Sequence, residues 1–293
     1  MTELRELIVT MPRKFASFIS RKGLGKLPLV TTIYGLFYCH LKPSGIVLID
    51  VQGSKMYVDA RDVGVAPFLL TWGVYERDET ELFKKLLKKG MVVVDVGAHI
   101  GYYTLIAARF VGEEGKVFAF EPDPYNYSLL TKNIEVNGFR NVIPLRKAIF
   151  SETRKMKFFL DKSNLGKHSL SETNVDKCAS ISIEATSLDG YFKNTDYKID
   201  VIKIDVQGSE MKVLEGMTNI IKQNDNLKII TEFWPLGLRN SGSSPKNFLN
   251  KLEEYGFAFY QIRQNVEPID AYHLLKSLNN KGFITLLCKK EKH

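Results

Sequence analysis

Asp95, Gly97, His99 and Gly101 stand within one short run, Asp95-Val-Gly-Ala-His-Ile-Gly101, which follows an apolar stretch and precedes a helical pattern. Glycines at a strand-to-helix turn let the backbone take angles closed to other residues, and they let a ligand approach without a Cβ in the way. The spacing is not the G-x-G-x-x-G of a dinucleotide site, whose third glycine and helix N-terminus serve a pyrophosphate. An acid ahead of the first glycine is a poor neighbour for phosphate and a good one for a cation. The amino and sulfonium groups of S-adenosylmethionine are such cations.

A second acid, Glu121, closes the run Phe118-Ala-Phe-Glu121-Pro122. A carboxylate at a strand end roughly 20 residues beyond a glycine turn can accept from two ribose hydroxyls. Glycine turn and acid together point to an unphosphorylated nucleoside ligand.

These residues need a sheet to hold them. Apolar runs at 92–96, 117–121, 142–145, 201–205, 228–232, 258–262 and 284–288 predict seven strands, and helical periodicity is found at 79–89, 102–110, 124–136, 210–222 and 245–255. From 92 onward strand and helix alternate, which implies a Rossmann-like, doubly wound and mostly parallel α/β sheet with ligands at the C-terminal ends of its strands. The stretch 151–186 interrupts the alternation. Strands are expected there at 155–160 and 180–186, with a polar, mobile loop at 161–177.

Ahead of this core, 46–60 alternates apolar and polar residues around Gly53-Ser54 and predicts a β-hairpin. Leu4, Leu7, Ile8, Met11, Phe15 and Phe18 recur at helical spacing among Arg5, Arg13, Lys14 and Arg21, a basic amphipathic helix interrupted near Pro12. Such a helix packs on its own domain or touches a membrane surface reversibly. The expected division is an N-terminal extension over 1–74 and a catalytic domain over 75–293.

With 44% hydrophobic and 25% charged residues the chain has the composition of a folded globular protein. Three cysteines far apart form neither a disulfide framework nor a zinc-ligand spacing. No apolar run is long enough to cross a bilayer and no signal-peptide pattern opens the chain. The expectation is a cytoplasmic protein, with peripheral contact at the inner membrane surface through the basic helix as the sharper alternative. The net charge of +8 suits a solvated basic surface or an anionic partner.

Several of these runs together resemble one known family. Tyr75-Glu76, Val94-Asp95-Val-Gly-Ala-His-Ile-Gly-Tyr-Tyr-Thr104, Phe120-Glu121-Pro122, Asn133-Ile and Asn137, Ile202-Lys-Ile-Asp205-Val-Gln-Gly208-Ser-Glu210 and Thr231-Glu232 are similar to the FkbM-type methyltransferases over about 75–232. Two positions depart from the family pattern: His99 stands where Asn is usual, and Arg77 follows Glu76 where Pro is common. The resemblance implies a class I methyltransferase fold with S-adenosylmethionine held by loop 95–101 (Asp95, Gly97, His99, Gly101) and by Glu121 with Pro122. It also implies an oxygen acceptor on a sugar or similar biosynthetic scaffold. Glu76 is placed to accept from the amino group of the methionine end.

On the acceptor side, buried apolar residues lead into Asp205, which should emerge at the sheet edge facing the methyl group. A hydroxyl acceptor must lose its proton, and Asp205, Glu232 or His168 can take it. Strand-end geometry favours the two carboxylates, because His168 falls in the insertion. No metal site is expected, although a paired Asp205 and Glu232 holding a divalent cation is the competing arrangement. The leading reading is thus an O-methyltransferase acting on a saccharide or glycan hydroxyl. RNA methylation and a non-catalytic module that keeps only the nucleoside pocket are the rivals, and the chain lacks an Asn-Pro-Pro-Tyr signature of base methylation.

Overall fold

The computed structural model describes residues 43–161, 164–175, 178–263, 265–278 and 282–290. The basic amphipathic helix expected near the N-terminus lies outside the described residues. Two compact units are found, Met1–Arg77 and Asp78–His293.

In the first unit, β1 (Ile46–Val51) and β2 (Ser54–Asp59) form the expected hairpin, paired antiparallel with Ile46 opposite Asp59. The turn falls on Gln52-Gly53, one residue earlier than the sequence suggested, and both residues have positive φ, 52° and 80°. That is the backbone twist a two-residue hairpin needs. A short helix not foreseen, α1 (Ala66–Trp72), follows. The Asp62 carboxylate accepts from the N–H groups of Gly64, Val65 and Ala66 and so starts the helix.

The helix α2 (Arg77–Leu86) begins on the last residue of the first unit, and the second unit continues with β3 (Val92–Val96), α3 (Tyr102–Val111), β4 (Lys116–Phe120), α4 (Pro124–Val136) and β5 (Val142–Leu145). The helix α4 begins where Asp123 accepts from the Asn126 N–H and Pro124 takes the first position, so strand and helix are separated by three residues. Next come β6 (Ala148–Ile149), β7 (Arg154–Asp161), β8 (Cys178–Thr186) and α5 (Leu188–Phe192). The chain continues through β9 (Val201–Ile204), α6 (Glu210–Glu215), α7 (Thr218–Gln223), β10 (Lys228–Phe233), α8 (Pro235–Asn240) and α9 (Pro245–Glu254). It closes with β11 (Phe257–Ile262), β12 (Val266–Ile269), α10 (Ala271–Ser277) and β13 (Ile284–Lys290).

The main sheet runs β12-β11-β13-β10-β9-β3-β4-β5. Strands β5, β4, β3, β9 and β10 are mutually parallel, while β13 inserts antiparallel between β10 and β11. This is the doubly wound α/β fold expected, with one strand more than the seven foreseen. The addition, β12, is an exposed edge strand containing Pro268, so neither apolar alternation nor ladder pairing marked it in the sequence. From β3 the chain winds outward to β5 and then returns to β9 on the other side of β3. That reversal, at the carboxyl ends of β3 and β9, is where a doubly wound sheet forms its ligand crevice.

Two expectations need correction here. The single helix foreseen over 210–222 is two, α6 and α7, broken at Gly216, where an added Cβ would lie 2.1 Å from the Phe150 carbonyl oxygen. Of the loop foreseen as mobile over 161–177, the described segment 164–175 is tied down by hydrogen bonds. Strands β6, β8 and β7 form a separate three-stranded sheet. From it 164–175 runs back over the crevice edge as a strap, with Ser169 pairing Phe159 through both backbone hydrogen bonds. The Ser169 hydroxyl and the Asn174 amide both donate to the Gln207 carbonyl, at 3.0 and 2.9 Å. At the strap's other end, the Asn126 amide of α4 donates to the Leu165 carbonyl.

Candidate active site

Strand β3 carries Asp95 into the sheet's interior and ends at the glycine turn. Asp95 is 2% exposed and accepts a 2.6 Å hydrogen bond from the Thr104 hydroxyl on α3. Burial pushes its carboxyl up, against the pull of the Lys203 ammonium and of Thr104. The turn is tied to the neighbouring strand, because the N–H groups of Gly97 and Ala98 both donate to the Phe120 carbonyl. Gly97, His99 and Gly101 all have positive φ, at 84°, 52° and 94°.

Gly97 admits no side chain. An added Cβ would lie 1.9 Å from the Asp205 carbonyl oxygen, at the point where the β3 and β9 turns cross. Gly97→Ala is expected to cost at least about 2 kcal/mol, from the left-handed backbone and the backbone clash together. Urea unfolding of the variant against the parent measures the loss, and an unchanged midpoint would contradict the close crossing.

Glu121 follows β4 and turns back toward the glycine loop. Its two carboxylate oxygens accept from the N–H groups of His99 and Asp123, each at 2.8 Å. Pro122 between them is buried and has no N–H to offer, so the second donor is Asp123. Burial raises the Glu121 carboxyl to about 8, although both backbone donors favour its charged form. Asp95 and Glu121 thus stand at adjacent strand ends, joined through the loop that carries His99.

The acceptor-side candidates gather around β9. Asp205 directly follows this strand, and its backbone N–H donates to the Val96 carbonyl. One carboxylate oxygen accepts from Lys203 Nζ at 3.2 Å and the other from the Gln207 amide at 2.8 Å. Burial acts to raise the Asp205 carboxyl, but Lys203, Gln207 and His99 together outweigh it and hold the group below its usual range. The same Gln207 amide reaches Glu232 on β10 at 3.5 Å, so it bridges the two carboxylates. Gln207 was not singled out in the sequence. Its signal is conformational, a positive φ of 51° before Gly208 at 100°.

Glu210, a first-turn acid, folds back so that one oxygen accepts from the Gly208 N–H at 3.0 Å. It braces the turn that presents Asp205 and Gln207, and burial raises its carboxyl to about 7. His168 stands elsewhere. Its ring is buried against Phe158, and Nδ1 accepts from the Asp161 N–H at 3.0 Å, which leaves the other ring nitrogen to carry the proton. That arrangement steadies the strap and makes a poor proton acceptor. Glu76 belongs to the first unit, where its φ is 44°.

The family profile of the methyltransferase FkbM domain matches residues 95–259, more than half of the chain. The chain belongs to the FkbM methyltransferase family. It is therefore an S-adenosylmethionine-dependent methyltransferase. Among curated relatives, this FkbM methyltransferase is 30% identical to the hexuronic acid methyltransferase AglP of Haloferax volcanii over 61% of this chain and 68% of that protein. It is 28% identical to the methyltransferase sdnD of Sordaria araneosa over 50% of this chain and 68% of that protein. Among solved structures, an rRNA-methylase crystal structure from Clostridium thermocellum covers 73% of this chain and 96% of its own at 13% identity and a TM-score of 0.45. The matched segment of the FkbM methyltransferase begins at Asp95 itself and takes in Glu121, Asp205 and Glu232.

Proposed function

We propose that this enzyme methylates a hydroxyl of a saccharide or glycan, with the cofactor held by loop 95–101 and Glu121 and the acceptor at Asp205. One observation carries the reading: Asp205 is a charged carboxylate fixed by two donors at the end of β9, in backbone contact with the glycine turn. The first relative's name, a hexuronic acid methyltransferase, supports a sugar acceptor.

The donor set fits S-adenosylmethionine. Glu121 keeps a free lone pair on each oxygen for ribose hydroxyls, and the Asp95 carboxylate suits a cationic ligand. Bound there, S-adenosylmethionine supplies an electrophilic methyl group.

The chain's own residues do the rest. Asp205 orients the acceptor hydroxyl and receives its proton. A carboxylate held below its usual range is a weak base toward a free alcohol, but the oxygen becomes strongly acidic as the C–O bond forms, so proton transfer is late. Glu232 accepts from a neighbouring hydroxyl of the same sugar, and Gln207 keeps the two carboxylates apart at a fixed spacing. The strap walls the crevice and limits water. Holding nucleophile and methyl in near-attack geometry supplies up to about 7 to 11 kcal/mol in favourable cases.

Label transfer from methyl-labelled S-adenosylmethionine to extracted glycans, lipids and RNA tests the reading. The expected product is a labelled saccharide whose label survives mild alkali, as a methyl ether does. Label lost in alkali marks a methyl ester, label in RNA marks another substrate class, and cofactor binding without transfer marks a non-catalytic module; each overturns the assignment to a saccharide or glycan hydroxyl. Among the described residues no group of three or more His, Cys, Asp or Glu is placed to hold a metal. The Gln207 amide, a donor, stands between Asp205 and Glu232 where a shared cation would sit. Turnover is accordingly expected to be unchanged by EDTA, and loss restored by added magnesium would revive the cation-bridged arrangement.

A further inference from the structure

Lys203 is 5% exposed, on the central strand β9, in register with Asp95 on β3 and with Ile230 on β10. Nothing in the mechanism above uses it except as a donor to Asp205. An ammonium in that layer is costly. Removing such a charge from water costs several kcal/mol, and a buried ion pair is often no better for stability than an apolar residue of similar volume. A methionine has a similar volume without the charge, so the charge needs another reason.

Geometry supplies one. The Lys203 ammonium donates to Asp205 at 3.2 Å and stands 4.4 Å from the centre of the Tyr103 ring on α3. That ring is fixed by edge contacts with Phe83 at 5.2 Å and Tyr102 at 5.1 Å. Tyr102 is held in turn by a 3.0 Å hydroxyl contact with Thr80. A rigid aromatic wall therefore backs the ammonium, and the ammonium backs the carboxylate. Side-chain exposure differs sharply along this line, 7% for Lys203 and 28% for Asp205. Lys203 is sealed inside, while Asp205 reaches the crevice.

We infer that Lys203 is a positioning residue for methyl transfer: clamped between the Tyr103 ring and Asp205, it fixes that carboxylate as an oriented anion at the strand edge. The inference rests on the assignment of Asp205 to the acceptor. Three other groups act on the same carboxylate: Asp95 from β3, His99 from the glycine loop, and Gln207, whose amide also reaches Glu232. Lys203 is the cation that faces both Asp95 and Asp205, so its removal leaves two acids close together.

The test follows the Asp205 carboxyl directly by carbon-13 NMR titration of the full-length, aspartate-labelled protein, with the signal assigned through its disappearance in Asp205→Asn. Lys203→Met is expected to raise the Asp205 midpoint by at least about one pH unit, since an opposite charge at this distance lowers a carboxylate by about 1 to 3. Lys203→Arg should restore most of the shift, and sinefungin affinity should stay within about threefold of the parent, because Lys203 touches no ligand. With a labelled acceptor in hand, kcat should fall and KM for S-adenosylmethionine should hold. Should Lys203→Met not fold, Lys203→Gln carries the same titration. A folded variant with an unmoved midpoint overturns the inference. Full turnover in Asp205→Asn would instead overturn the acceptor assignment, and the titration would still report whether Lys203 sets the state of that carboxylate.

Discussion

Asp205→Asn is expected to lower turnover by about 10²- to 10⁴-fold, the usual contribution of a positioned proton acceptor, while sinefungin binds within about threefold of the parent. The substitution preserves shape. An asparagine at this position still accepts one hydrogen bond from Lys203 or Gln207, but it cannot take a proton and it presents a donor where the acceptor hydroxyl should donate. Glu121 and the glycine loop are untouched, so the nucleoside side should survive. A stability cost accompanies the loss of turnover, because Lys203 loses one of its two facing acids; breaking a buried pair costs on the order of 3 kcal/mol. Calorimetry with sinefungin and a labelled-methyl assay on the same preparation separate the two effects. A fully active Asp205→Asn would remove Asp205 from the chemistry.

How much of this was legible in the residues follows from what each position depends on. Glu121 and Asp205 sit where an apolar run stops, Asp95 and Glu232 sit one residue before their strands end, and a run buried on both faces announces its own end. Strand ends at the carboxyl edge of a parallel sheet fall on one side, so these acids could be grouped before any contact was known. The glycine turn was legible for the same local reason, though not its tightest constraint. Only the fold shows that Gly97 lies under the carbonyl of Asp205, more than a hundred residues away.

What stayed hidden is tertiary. Lys203 reads as one polar residue inside an apolar strand, and its meaning comes from Tyr103 on a different helix. Gln207 looks like an ordinary turn residue until its amide is found between Asp205 and Glu232. The polar composition of the strap is that of a mobile loop. Its serines and asparagine spend that polarity on the Gln207 and Asn240 carbonyls instead. His168 followed the strap: once that segment is anchored, the histidine is buried and its Nδ1 is committed to the Asp161 backbone. Composition reports how polar a segment is, not whether its polar groups find partners.

Glu121→Gln is expected to weaken sinefungin binding by more than about 100-fold. Two ribose hydroxyls donating to a charged carboxylate are worth roughly 3 kcal/mol or more together, at about 1.5 to 3 kcal/mol each. The amide also places a donor against the N–H of His99 or Asp123, where the parent offers only acceptors. Proton release gives a second signature. Burial first of all holds the Glu121 carboxyl at about 8, far above the 4.5 of a free side chain. For a raised carboxyl, the stabilising contribution is complete below about 4.5 and is lost as pH rises through about 8. Glu210, raised to about 7, and Asp95, also raised, act with the same sign. Free enzyme should therefore melt at a lower temperature at pH 8 than at pH 6, and Glu121→Gln should flatten part of that slope. Hydroxyl donors and a cationic ligand favour the ionised form, so binding below pH 8 expels a proton from Glu121 and affinity climbs from pH 6 to 8. Calorimetry in two buffers of different ionisation enthalpy counts that proton. Equal heats in both buffers at pH 7, with affinity intact in Glu121→Gln, would place the ribose somewhere other than at the end of β4.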